Sequence, residues 1–213
     1  MLAARMSAPS RHFTIESCEG ITLLRFESAD GTNRLTRACV LALTAAVREL
    51  ALDPKPLIIT GNKKFFSAGA ELAEIVRLTG PQGYEFSKMG QALMADVERF
   101  PAPVYAAING YCMGGALDLV LACHRRIASP TAIFGHQGAA LGLITGWGGT
   151  QRLPRLIGKA RALEMFIAAE KIHAPAALGF GLVDEVTENP VAEAAGELGR
   201  RIRHRGTEAQ RRS

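Results

Sequence analysis

No apolar run in this chain approaches the roughly 18 residues that a helix needs to cross a bilayer, and the first residues lack the continuous apolar segment of a secretory leader. Neither a membrane span nor export is expected. Cysteine is scarce and scattered: Cys18, Cys39, Cys112 and Cys123 show no paired metal-ligand spacing, so they read as reduced thiols of a cytoplasmic protein, and no metal is expected. Internal repeats and low-complexity linkers are also missing, which argues against solenoids and strung-out modules. An excess of charge is absent from most of the chain as well. The formal net charge is +5, but residues 200–213 hold six of the 25 basic residues and one of the 20 acidic ones, leaving 19 of each elsewhere. A neutral body with a basic end speaks against a nucleic-acid partner; such an end reads as a solvated helix terminus or an extension.

What is present is a chain of 213 residues, 48% hydrophobic, enough for one large α/β domain with a full core. Residues 1–11, with Arg5 and Arg11 and no acid, read as a flexible N-terminus, residues 12–199 as the folded domain, and 200–213 as the basic tail. Phe13 to Ser17 and Gly20 to Phe26 alternate like two neighbouring strands. The spacing of Leu35, Val40, Leu41, Leu43, Ala46, Val47 and Leu50 predicts a helix, closed off by Pro54 and Pro56 before a strand at Leu57 to Thr60. A helix opening near Ala70, a longer one from Gln82 to Phe100, and a buried strand from Val104 to Ile108 follow. A further helix runs from Gly114 to Cys123. Short strands at Arg126 to Ala128 and Ala132 to Gly135, helices from Thr150 and Lys159, the segment Ala174 to Phe180, a strand-like Leu182 to Val186 and a last helix from Pro190 complete the pattern. Alternating strands and helices predict an α/β layered fold with right-handed crossovers.

Two stretches carry chemistry. Phe65-Phe66-Ser67-Ala68-Gly69-Ala70-Glu71-Leu72 and Ile108-Asn109-Gly110-Tyr111-Cys112-Met113-Gly114-Gly115-Ala116-Leu117-Asp118-Leu119 each deliver small residues to an expected helix start after an apolar strand. The first amides of a helix lack partners and carry the positive end of its dipole, so two such starts facing one pocket can hold an oxyanion. Small side chains let a substrate carbonyl approach. A glycine pair alone also serves close helix packing; here it is joined by the second stretch.

These stretches, with Gly-Gly-Thr-Gln-Arg-Leu at 148–153, Asn33, and Ala177 to Asp184 as A-x-x-x-G-L-V-D, occur in an order and spacing that resembles the crotonase superfamily, the enoyl-CoA hydratase and isomerase group, from about Phe13 to Val186. The resemblance implies a crotonase-like spiral of repeated ββα units, a homotrimer or hexamer, and an acyl-CoA thioester as the partner, with its carbonyl between the amides of Ala70 and Gly115. Coenzyme A then enters as part of the substrate, with no separate cofactor; the matching positions are Asp30, Gly31, Arg34, Ala68 and Ala70. The resemblance also implies fatty-acid metabolism. Hydratases of the family use two glutamates, and those positions hold Asp118 and Gly138. The resemblance also implies several further helices after the Val186 region, where this sequence has one helix and the arginine-rich tail.

The departure leaves several roles open. Asp118 is a single base, one carbon shorter than glutamate, or an acid that stabilises a helix start. His136, two residues before Gly138, is a replacement acid or base, or a packed histidine bonded to backbone. Thr145 holds a water or not; Trp147 walls the acyl pocket or is simply core. Glu71 and Glu74 serve the first turn of their helix, and Cys112 is a small buried hydrophobe. Three functions remain: an isomerase or atypical hydratase using Asp118 with the Ala70 and Gly115 amides; another acyl-CoA reaction (hydrolase, decarboxylase or ring-forming synthase) drawing on His136 or Thr145; and a non-catalytic acyl-CoA or RNA binder.

Overall fold

The computed structural model describes residues 4–5 and 10–212; most of the expected flexible segment 1–11 lies outside them. Strands β1 (Ala4–Arg5), β2 (Phe13–Cys18) and β3 (Ile21–Phe26) pair antiparallel in sequence order, with Phe13 opposite Phe26. Helix α1 (Arg37–Leu50) starts where the Thr36 hydroxyl accepts from the Cys39 amide at 3.1 Å, which satisfies one of the free first-turn donors. Its buried stripe of Cys39, Val40, Leu43 and Val47 keeps the helical period read from the sequence.

Three ββα units follow. In the first, β4 (Leu57–Thr60) and β5 (Phe65–Ser67) lead into α2 (Leu72–Ile75) and α3 (Gly80–Glu98). The second holds β6 (Val104–Ile108), β7 (Tyr111–Met113) and α4 (Gly115–Ala122), and the third β8 (Arg125–Ala128), β9 (Ile133–Gly135), α5 (Gly149–Ile157) and α6 (Lys159–Ala168). Each unit sends its first strand to one sheet and its second to another. The larger sheet has the order β1-β2-β3-β4-β6-β8-β11 and the smaller β10-β9-β7-β5, where β10 is Ile172–His173 and β11 is Glu185–Val186. Pairing within the repeated units is parallel. Helices α7 (Ala174–Phe180) and α8 (Pro190–Arg212) close the chain.

The central strands β4 and β6 are buried along their whole length, as befits a parallel sheet covered on both faces. Their side chains alternate between two cores. Leu57 and Ile59 join the large core shared with α1, α3, α4 and the small sheet, whereas Ile58, Tyr105 and Ala107 face Ala194 and Leu198 of α8. The basic segment from residue 200, expected as a helix end or an extension, continues α8 as far as Arg212. Among the described residues no helix is long and apolar enough to cross a membrane.

One expected element is corrected. The helix expected to open near Ala70 begins at Leu72 and is four residues long. Backbone bonds from Leu35 to Gly69 at 2.8 Å and from Glu71 back to Leu35 pair Ala70 with Leu35 as in a strand, and Glu71 is extended, so that stretch cannot coil.

Candidate active site

The repetition of the units brings their loops to one place, where a cavity of about 450 Å³ is lined by Ala68 and Ala70 after β5, Gly115 and Asp118 of α4, and His136 and Gly138 after β9. The first stretch turns sharply at Gly69, whose φ of +89° favours glycine. A β-carbon there would stand 2.4 Å from the Met113 carbonyl oxygen and 3.3 Å from the Gly115 nitrogen. The two small-residue stretches are therefore in direct backbone contact. The second stretch enters α4 through Gly114, at φ +53° and ψ −119°. Among the described residues, neither the Ala70 amide nor the Gly115 amide has a hydrogen-bond partner. Gly115 presents its amide from the start of an eight-residue helix; Ala70 does so from an extended turn, not from a helix start.

Asp118 lies in the first turn of α4 and is 1% exposed. Its Oδ2 accepts from the Thr145 hydroxyl, and its Oδ1 has no partner. Burial pushes its pKa up to about 6, against the opposing pull of the Thr145 bond, the Arg152 charge and the nearby Trp147 and Gly149 amides. His136 is 4% exposed, and its Nε2, also without a hydrogen-bond partner, faces Asp118 Oδ1 at 3.4 Å. Burial lowers the imidazole to about 4, so at neutral pH this approach joins a neutral ring to a carboxylate and is not an ion pair. The start of α5 presses on both groups: a β-carbon on Gly149 would meet Asp118 Oδ1 at 2.1 Å and His136 Nε2 at 3.1 Å.

Asp118 is the only carboxylate among the cavity-lining residues described, and His136 the only imidazole there. Gly138 is also among the lining residues, and a β-carbon there would meet the Leu143 carbonyl oxygen at 2.8 Å.

A family profile described as enoyl-CoA hydratase/isomerase matches residues 16–211. The chain belongs to the enoyl-CoA hydratase/isomerase family. This member is 37% identical over 177 residues to a crotonyl-CoA hydratase of Syntrophomonas wolfei, with 82% of this chain and 68% of that protein covered. Among solved structures it is similar to an enoyl-CoA hydratase from Bacillus anthracis, at 34% identity and a TM-score of 0.83, covering 90% of this chain and 76% of that one. Pseudomonas aeruginosa DspI is likewise similar, at 32% identity and a TM-score of 0.85 over 92% of this chain and 81% of that one. The crotonase fold expected from the motifs is thus the fold of this family member.

The other residues singled out from the sequence fall in varied places. Asp30, Gly31 and Arg34 lie outside the cavity lining and build a turn. The Thr32 amide and the Ser28 and Thr32 hydroxyls bond to Asp30 and hold its carboxyl at about 2, while Arg34 pairs with Asp30 at 3.2 Å and with Glu71 at 3.5 Å. Glu71 caps α2, but Glu74 reaches across to the Arg37 amide at 2.7 Å. Cys112 is fully buried and its thiol is pushed well above its usual range. Helix α3 adds Phe86 to the cavity wall, while its Met94 is core and its Tyr84 faces solvent. Thr145, read as a possible water holder, instead binds Asp118 directly. Gly149 was missed, although a glycine pair before an expected helix is the mark of a close approach.

Proposed function

We propose that this protein is an acyl-CoA enzyme that moves a carbon–carbon double bond, using the Ala70 and Gly115 amides to hold the thioester oxygen and Asp118 as its one proton carrier. The observation that supports this reading best is that Asp118 is the one acid among the described residues of the cavity wall, buried, with one oxygen tied to Thr145 and the other unpartnered.

The steps balance with these groups alone. The Asp118 carboxylate takes a proton from the α-carbon of a 3-enoyl thioester, and the C–H electron pair becomes an enolate whose negative charge lies on the thioester oxygen. Two amide donors aimed at that oxygen stabilise the charge as it develops. The protonated Asp118 then returns the proton at the γ-carbon, and the double bond comes to rest in conjugation with the thioester. A base with a pKa near 6 is suited to both halves at neutral pH, ionised before the first and acidic enough for the second. Hydration makes a different demand, because a water has to be oriented and deprotonated while the α-carbon is protonated. A second carboxylate is absent from the described lining, and His136, neutral at that pH, sits against Asp118.

The test offers a 3-enoyl-CoA and crotonyl-CoA separately to the wild type and to Asp118→Asn, following the conjugated thioester by absorbance and any 3-hydroxyacyl product by chromatography. Isomerisation is expected in the wild type, rising with pH through about 6 and lost by about a hundredfold or more in Asp118→Asn. Hydration without isomerisation, or activity that survives the substitution, overturns the reading.

A further inference from the structure

Trp147 is the chain's single tryptophan, and its surroundings are unusual for a loop residue. It is 3% exposed yet lines the cavity. Its indole is wedged between two helices at the positions where each has a glycine. A β-carbon on Gly90 of α3 would lie 2.1 Å from the ring's Cδ1, and one on Gly115 of α4 would lie 2.4 Å from its Cζ3. No side chain fits at either position beside the ring. The ring nitrogen donates to the Phe86 carbonyl at 3.2 Å, and the Phe86 ring lies 5.2 Å away by centroids. The loop is pinned again by Gln91, whose amide donates to the Gly146 carbonyl at 2.8 Å.

We propose that Trp147 is the specificity-determining residue for the acyl group, its fixed indole limiting how far an acyl chain can extend between α3 and α4 from the Gly115 amide. This rests on the reading of that amide as the thioester site. The six-membered edge of the indole packs on the Gly115 backbone, so an acyl chain that starts at this amide meets the ring within its first few carbons. Beyond the ring lies the seam between α3 and α4, which the indole fills. The same loop carries Thr145, the hydrogen-bond partner of Asp118. An acyl group that pushes on Trp147 thus also disturbs the base, and discrimination should be expressed in kcat as well as in KM.

The test uses two opposite variants. Trp147→Ala removes the wedge; Gly90→Ala drives a methyl against the indole and forces it toward the cavity. Both are compared with the wild type on straight-chain acyl-CoA thioesters from four to twelve carbons, by calorimetric binding of the saturated series and by turnover of the unsaturated one. In Trp147→Ala the preference for the longest over the shortest chain should rise about tenfold or more, and in Gly90→Ala it should fall. The double variant, in which the methyl has the vacated space, keeps the comparison open should Gly90→Ala fold poorly; its preference should follow Trp147→Ala. Unchanged length preference in Trp147→Ala, with binding retained, overturns the proposal and leaves the proposed function standing. A shifted binding preference without turnover supports the proposal and sinks the proposed reaction, whereas failure of the wild type to bind any acyl-CoA overturns both.

Discussion

At the scale of single residues, the behaviour of Asp118 follows from the unequal fates of its two oxygens. Thr145 donates to Oδ2 and so favours the ionised form, while burial favours the protonated one and wins, leaving the pKa at about 6. Removing the hydroxyl takes away one of the terms that hold the pKa down. Thr145→Val, which keeps the branched shape, is expected to move the rising limb of the kcat/KM profile to higher pH by about one unit, a shift of the size of one charge-assisted hydrogen bond. A pH–rate series on both proteins checks this; a limb that stays in place means that Thr145 does not hold the reacting form. His136 shows the converse effect of burial. It keeps the ring neutral, so the imidazole presents to Asp118 a group of no charge.

At the scale of elements, the segment from Thr145 to Gly149 ties three pieces together: Thr145 to α4, Trp147 to α3, and Gly149 to the start of α5. Gly149→Ala places a methyl where Asp118 Oδ1 now stands, and the backbone of α5 has to retreat. Loss of about 1–3 kcal/mol in unfolding free energy is expected from such overpacking, with a larger fall in turnover than Thr145→Val causes. Chemical denaturation and an activity assay separate the two effects; full activity in Gly149→Ala would mean that the carboxylate has room to move. The same scale shows what the sequence can and cannot announce. Strands β4 and β6 were readable to the residue because each is a short apolar run bounded by proline or glycine. Strands β5 and β7, three residues each, owe their existence to pairing with partners distant in sequence, and α2 yields its first turn to the bridge from Leu35. For the candidate site, motif spacing picked out Ala70, Gly115, Asp118 and His136, which all line one cavity. The meeting of His136 with Asp118, and the seat of Trp147 between Gly90 and Gly115, arise from how the ββα units stack and leave no local trace.

At the scale of the whole molecule, the two buried groups of the site oppose each other in folding stability. Asp118 has a folded pKa of about 6 against 3.8 for a free carboxyl, so between those values the native state holds a proton that the unfolded chain has released, and stability falls as pH rises. His136, at about 4 against 6.5, does the reverse: the unfolded chain holds the proton, and stability rises with pH. Between about pH 4 and 6 the two slopes largely cancel. Asp118→Asn should therefore gain stability with rising pH across this window relative to the wild type, and His136→Gln should lose it, as read from urea midpoints by circular dichroism. Parallel curves for all three proteins would contradict the burial of these groups. One feature also gives the molecule an optical reporter of its own. Because the only indole is clamped between two helices on the wall of the cavity, its emission will redden when the clamp dissolves on unfolding and will respond to a ligand seated against it, so one unlabelled signal follows both folding and occupancy.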